Sequence, residues 1–470
     1  MMEGNGPAIA NGLEPDRQAV EAMGRELVSR IADYVGSLPK APVSRFGGAE
    51  DAVARMLLPP PDAPGTFHRL LDDFQEAASY GLDTSSPGYL AYFPAGGLVS
   101  SALADALAQV HNRFTTVADL APALVAMEHG VLRWLAGLFG LPESAGGLVT
   151  TGGSAATLTA VVAARHDRLG EDLTGARLYV TEHTHYCVAK SARVAGLPAS
   201  AVRTVPTRGL RMDPAAAARM IEEDRALGLR PFLLVATGGT TSTGTVDPLP
   251  ELGELAAREG LWFHVDAAYG GGLALTDRGR ARLAGIGRAD SVVVDPHKSL
   301  FLPYGTGVVL ARDPGTLAAA HADSGDYLQD LRTVGGLPDF NHYGVELTRE
   351  FRGLRLWLPL HLHGVAAFRA ALDEKLDLAA LAHRELAADP LFEVPWEPDL
   401  TVVVFRLRGD DALSRALLER VNAAERVFLS STVVEGRFFV RINPTSHRTH
   451  AAETRAALDL IRARARAVTG

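Results

Sequence analysis

Residues 261–272 read LWFHVDAAYGGG, and residues 291–307 read SVVVDPHKSLFLPYGTG. Each opens on a run of apolar and β-branched residues. Each then breaks into polar and small ones, Asp266-Ala267-Ala268 in the first and Asp295-Pro296-His297-Lys298 in the second. A short apolar run bounded in this way predicts a strand buried on both faces. The pattern recurs outward in ARLYVT (176–181), PFLLVAT (231–237) and GVVLAR (307–312), with helix-like segments such as PLPELGELAAREG (248–260) between the runs. Alternation of this kind from about Gly147 to Arg312 predicts an α/β fold with a mainly parallel central sheet and helices on its faces.

On the N-terminal side, Val20, Met23, Leu27, Ile31, Val35 and Leu38 recur at helical spacing from about Pro15 to Leu38, and Pro/Gly punctuation follows around Pro59 to Gly65. A helical arm of this size has no core of its own, so its stripe must be buried on another domain or on a second subunit. On the C-terminal side, a helical stretch is expected from about Thr348 to Ala388. Strand (LTVVVFRL), helix (DALSRALLERVNAAER), strands (VFLSS, RFFVRI) and helix (HAAETRAALDLIRARARA) then predict a smaller α+β domain.

The 46 basic and 55 acidic residues give a net charge of −9. They are spread without long blocks of one sign, which leaves no electrostatic footprint for nucleic acid and favours a small-molecule partner. Cys187 is the single cysteine, so no internal disulfide and no Cys-rich metal site is expected; no metal is invoked. The opening MMEGNGPAIANG lacks a secretion signal, and no apolar stretch approaches the roughly 18 to 20 residues of a membrane-spanning helix. The expected location is the cytoplasm, with no membrane contact.

Open α/β sheets bind ligands outside the carboxyl ends of their strands, so residues just after the apolar runs carry the chemistry. In GGLVTTGGSAATLTAVVAARH (146–166), Gly152, Gly153 and Ser154 stand where a strand meets a helix, an ordinary turn or a phosphate site made of amides and helix dipole. His185 follows LYVTEHT; by default it is a satisfied histidine, but an imidazole can also stack on a flat ring and do acid–base work near neutral pH. PFLLVAT ends in the Gly/Thr run 238–243, which includes Thr240. Asp266 could simply end its strand, yet a carboxylate there would keep an adjacent pyridine nitrogen protonated. Lys298 could be solvated, yet an amine in a partly desolvated pocket forms an imine with a carbonyl cofactor. No one of these decides the matter. Taken in order, they supply each contact that pyridoxal phosphate needs.

The chain also resembles a known family, the group II pyridoxal-phosphate decarboxylases, which include the aromatic L-amino acid, glutamate and diaminobutyrate decarboxylases. The resemblance runs nearly end to end. It is most specific in HVDAAYGG (264–271) and DPHK (295–298), backed by SPGYLAYFPA (86–95), GGSAATL (152–158) and THYCVAK (184–190). It implies an aspartate-aminotransferase-like (type I) homodimer whose N-terminal helices wrap around the partner. The chain then divides into an arm (1–85), a large cofactor-binding domain (86–347) and a small domain (348–470). Carried over residue by residue, it implies Lys298 as the Schiff-base lysine, Asp266 as partner of the pyridine nitrogen and His185 as the stacking ring. Gly153, Ser154 and Asp295 or Ser299 are expected near the phosphate, Thr240 and Ala268 near the ring, and His297 near the reacting carbon. Tyr92, Phe93 and Pro94 are expected at the substrate, joined by Phe114 and Thr116 from the neighbouring subunit. Tyr327, in the loop before Asp339-Phe340, is expected to help protonate the carbon that loses carbon dioxide.

The implied reaction is decarboxylation of an L-amino acid to the amine. Alternatives are oxidative deamination to an aldehyde, another non-decarboxylating reaction on the same cofactor, or a cofactor-binding sensor without turnover. Thr84-Ser85-Ser86-Pro87 stands where the aromatic enzymes usually carry a bulky aromatic before His-Pro, so no substrate is chosen.

Overall fold

The structure is a computed structural model and describes residues 9–10, 13–94, 96–323 and 334–470. Its centre is a seven-stranded sheet built from β1 (Gly146–Thr150), β2 (Ala176–Val180), β3 (Val202–Thr204), β4 (Arg230–Thr237), β5 (Trp262–Asp266), β6 (Ser291–Val294) and β7 (Gly307–Ala311). The spatial order is β1-β7-β6-β5-β4-β2-β3. Neighbours from β6 to β3 are parallel, whereas β7 runs antiparallel to both β6 and β1. Every residue of β1, β5, β6 and β7 is buried. This is why their sequences read as unbroken apolar runs rather than alternating ones. Each fully buried Val, Leu or Phe in these strands contributes about 1.5–3 kcal/mol, the main force that fixes the strand ends where the polar residues begin.

Ahead of the sheet lie α1 (Arg17–Ser37), α2 (Glu50–Met56), α3 (Phe67–Ala78), α4 (Val99–His111) and α5 (Pro122–Leu138). Asp16 caps α1 by accepting the Ala19 amide, so the helix starts within two residues of the expected position. Part of its stripe stays uncovered by the rest of the chain: Val20 is 53 % exposed and Leu27 40 %, whereas Leu38 is buried. After β1, α6 (Gly153–Leu169) packs on the sheet through Ala156, Ala160, Ala163 and Ala164, all at most 1 % exposed. Small side chains let this helix approach the strands closely.

Beyond the sheet, the expected single helical stretch is two helices, Gly353–His363 and Val365–Ala387. The break falls at Gly364, whose φ of 74° suits glycine. Next comes a four-stranded antiparallel sheet in the order β8 (Phe392–Glu393), β9 (Val403–Leu407), β11 (Arg437–Ile442), β10 (Ser430–Val434). Helices Asp411–Asn422 and Ala451–Thr469 pack with it around Phe405, Leu417, Val440 and Leu458. No helix among the described residues is long and apolar enough to cross a membrane.

Candidate active site

The carboxyl ends of the parallel strands open into a cavity of about 310 Å³, within the size range of small-molecule sites. Gly153, Ser154, His185, Asp266, Ala268, Asp295, His297 and Lys298 all border it. Each arrives by the same route: a buried strand stops, and the next residues turn toward the opening.

At one end, α6 begins with Gly152 at φ 151°. The first amides of a helix have no intrahelical acceptor, so those of Gly153, Ser154 and Ala155 remain free at the cavity wall. Close packing holds this turn in place. A Cβ on Gly307 of β7 would stand 2.4 Å from the Gly152 carbonyl carbon, and one on Gly153 would stand 2.8 Å from Oδ2 of Asp295.

Lys298 lies in the short helical turn Pro296–Ser299 that follows β6, and its Nζ stands 2.9 Å from Oδ2 of Asp295. Burial presses the ammonium pKa down, but the charge and hydrogen bond of Asp295, helped by Asp266, outweigh it and hold the pKa above the ordinary lysine value. Asp266 ends β5 and accepts the Ala268 amide at 3.1 Å. His297 has its Nδ1 2.7 Å from the Thr306 carbonyl. A carbonyl can only accept, so Nδ1 carries the proton and Nε2 is left with its lone pair, 3.7 Å from Asp295. Burial lowers the His297 pKa and keeps the ring neutral. His185 is lowered by burial too, against the pull of Asp266. Its Nδ1 accepts the Cys187 amide at 3.3 Å, which leaves the N–H on Nε2.

Other expected positions fall elsewhere. Thr240 does not border the cavity; its hydroxyl is buried against that of Thr243 at 2.9 Å, and its neighbours Gly239 and Thr241 border the cavity instead. Ser299, the other residue weighed for the phosphate, spends its hydroxyl on the Gly272 amide. Phe93 lies beside the lysine, its ring centroid 5.5 Å from Lys298 Nζ, while Tyr92 is half exposed and Pro94 buried. Thr116 is fully buried within its own chain, so its side chain is not free to reach a second subunit; Phe114, 37 % exposed, is. Tyr327 lies outside the described residues. Sequence reading passed over Tyr269, Thr237 and Cys187, which also border the cavity. Tyr269 sits inside the HVDAAYGG stretch, and its place three residues after Asp266 was the available signal.

The residues present fit pyridoxal phosphate. A primary amine, a buried carboxylate, a neutral imidazole and a helix N-terminus face one cavity, and the buried Thr237 hydroxyl on its wall has no hydrogen-bond partner among the described residues. The family model described as the pyridoxal-dependent decarboxylase conserved domain matches residues 54–408. An aromatic-L-amino-acid decarboxylase of Bacillus atrophaeus is 32 % identical over 457 residues, covering 95 % of each chain. A crystal structure of Oryza sativa TDC with PLP and tryptamine superposes with a TM-score of 0.91 at 27 % identity, covering 97 % of this chain and 99 % of that one. A Rhodiola rosea 4-hydroxyphenylacetaldehyde synthase superposes at 0.90 and 25 % identity, covering 98 % and 100 %. The chain belongs to the pyridoxal-dependent decarboxylase family. It is an amino-acid decarboxylase of the type I fold, with pyridoxal phosphate as its cofactor.

Proposed function

We propose that the protein converts an L-amino acid to the corresponding amine, with Lys298 as the lysine that carries the cofactor. The observation behind this reading is the convergence of Lys298, Asp266, His185 and the first turn of α6 on one cavity. Pyridoxal phosphate supplies an electron sink for the pair left at the α-carbon when carbon dioxide departs. The chain's residues bind, orient and move protons. The free amides of α6 receive the phosphate. Asp266 holds a proton at the ring nitrogen by opposite charge. His185 presents a flat, neutral ring with its N–H on Nε2, and His297 keeps a free Nε2 beside the lysine. Lys298 must shed a proton before it reacts, and Asp295 is the charge against which it does so.

Tyr92, Phe93 and Pro94 are proposed as the near wall of the substrate pocket, with Phe114 reaching from a second copy. The proposed assembly is a homodimer: Val20 and Leu27 of α1, Phe74 of α3 and Leu107 and Val110 of α4 form exposed apolar faces that a lone soluble chain would rarely leave uncovered. A cytoplasmic location is part of the same proposal.

A second reading, oxidative conversion to an aldehyde, is favoured by the likeness to the aldehyde synthase. That reaction consumes one molecule each of oxygen and water per turnover, the oxygen taking up two electrons to become peroxide, and releases aldehyde, ammonia and carbon dioxide. The deciding experiment incubates the purified, yellow protein with L-tryptophan, L-tyrosine and a wider amino-acid panel while carbon dioxide, amine, aldehyde and oxygen are followed. Hydride reduction should fix the cofactor on Lys298. Label on another lysine, or carbon dioxide release from no amino acid, overturns the proposal; stoichiometric oxygen uptake selects the second reading.

A further inference from the structure

We infer that Asn443 is a positioning residue, which ties the strap carrying Phe93 to Tyr269 and so sets the wall beneath the Lys298 amine. This rests on the reading of Lys298 as the cofactor lysine.

The strap, residues 88–93, is stitched to the small antiparallel sheet. Gly88 O accepts the Phe428 amide at 3.0 Å, and the Leu90 amide donates to Phe428 O at 3.0 Å. Asn443, one residue past β11, grips the strap twice. Its backbone amide donates to Leu90 O at 2.9 Å, and its side-chain Nδ2 donates to Tyr92 O at 2.8 Å. Tyr92 needs such a grip because its φ is 47°, a left-handed conformation that is strained for any residue other than glycine. Ser430 accepts the Tyr92 amide at 3.2 Å and completes the clamp.

The other end of the Asn443 amide is committed as well. Oδ1 accepts the Thr401 hydroxyl at 2.8 Å and the Thr445 hydroxyl, which fixes the amide with its NH₂ toward Tyr92. Thr401 in turn accepts from the Tyr269 hydroxyl and donates its own amide to that oxygen at 2.8 Å. All of these side chains are buried, where a missing partner costs the full desolvation of the group left behind. The loop of contacts closes at the site: the Tyr269 and Phe93 rings meet with centroids 4.4 Å apart, and Phe93 lies between Lys298 Nζ at 5.5 Å and the Arg441 guanidinium at 5.6 Å. Asn443 touches neither the cavity nor the lysine. It acts through Tyr92 and Tyr269, and through them it places Phe93.

The test uses the holoenzyme. Asn443→Asp keeps an acceptor for the two threonine hydroxyls but sets an oxygen against Tyr92 O; Thr401→Val removes the hydroxyl that relays Asn443 to Tyr269 and leaves only the backbone amide of residue 401 on the Tyr269 oxygen. Hydrogen exchange in peptides covering 86–94 should rise about tenfold in Asn443→Asp, with exchange in α6 unchanged. That readout needs no turnover, so its failure is distinct from failure of the proposed reaction. With whichever of L-tryptophan or L-tyrosine is turned over, KM should rise five- to tenfold and kcat should stay within twofold. Because the two links act in series, the double variant should be no worse than the poorer single one. Unchanged exchange at 86–94, a loss confined to kcat, or multiplied effects in the double variant overturns the inference. If Asn443→Asp does not fold, Ser430→Ala carries the same test, with a rise in exchange of a few fold expected and no rise counting against the inference.

Discussion

The Lys298 ammonium and the Asp295 carboxylate, three residues apart, form an ion pair at 2.9 Å on the wall of the cavity. The pair holds the lysine pKa up, so at neutral pH the amine is almost entirely protonated and cannot attack a carbonyl. Asp295→Asn removes the charge and should let that pKa fall. Capture of added pyridoxal phosphate by cofactor-free protein, followed by absorbance, should then speed up several fold at pH 7.5, and its pH profile should shift downward. A profile that stays put would show that Asp295 does not govern the lysine.

Close approach at the first turn of α6 gives a second expectation. Gly307 faces the Gly152 backbone with no room for a methyl group. Gly307→Ala should push the turn away at a cost of about 1–3 kcal/mol, the usual range for overpacking. Titration should show cofactor affinity weakened about ten- to a hundredfold in a protein that still folds. An unchanged dissociation constant would mean that this turn does not receive the phosphate.

The exposed stripe of α1 bears on assembly. Replacing Val20 and Leu27 together by Glu places two charges on the face proposed to meet a second copy. Light scattering should report a monomer with little activity and near-normal helicity. A fully active dimer would locate the interface elsewhere.

Much of this was legible in the chain because β1, β5 and β6 are buried throughout, so the end of each apolar run marks the strand end to within a residue and exposes Asp266 and Lys298 as its successors. Thr240 was harder: along the loop after β4, alternate residues point into the cavity or into the hydroxyl cluster, and composition does not tell Thr240 from Thr241. Thr116 and Phe114 stand two residues apart in one stretch, and nothing local shows that the first is buried in its own chain while the second stays partly exposed. Illegible altogether was the pairing of Tyr92 with Asn443, 351 residues away, since no local pattern records a contact made between such distant parts of the chain. The break at Gly364 was readable as a glycine but not as the point where one helix becomes two.

Tyr327 carries a prediction from resemblance alone. If its phenol returns the proton to the carbon, Tyr327→Phe should lower amine yield and raise oxygen uptake, measured together in an oxygen electrode and by chromatography. Equal amine yield in both proteins would remove Tyr327 from the reaction.

Acid stability follows from three buried groups. Burial pushes His264 down to about 4 and His447 down to about 3, and it pushes Asp247 up to about 6. Between pH 6.5 and 4 the unfolded chain takes up protons at both histidines while the folded chain does not, so their neutral burial loses stability as pH falls. Asp247 works the other way: folded, it is protonated below about 6, and its burial becomes easier as pH falls toward the ordinary carboxylate value near 4. Two groups against one leaves a net loss of about 4 kcal/mol by pH 4 at about 1.4 kcal/mol per pKa unit, and the burial that lowers His185 and His297 adds to it in the same direction. The melting temperature of the holoenzyme, at fixed cofactor concentration, should therefore fall steadily across this window. His264 is the group to isolate. Its Nδ1 meets the Ser291 hydroxyl at 2.8 Å, and Trp262 donates to the same oxygen at 2.8 Å. His264→Asn keeps an acceptor for Ser291 and removes the titration. The variant should start less stable at pH 7.5, because the smaller side chain leaves a void, yet its melting curve should flatten between pH 6.5 and 4 by more than half of the wild-type slope. Parallel curves for the two proteins would assign the acid loss to other groups.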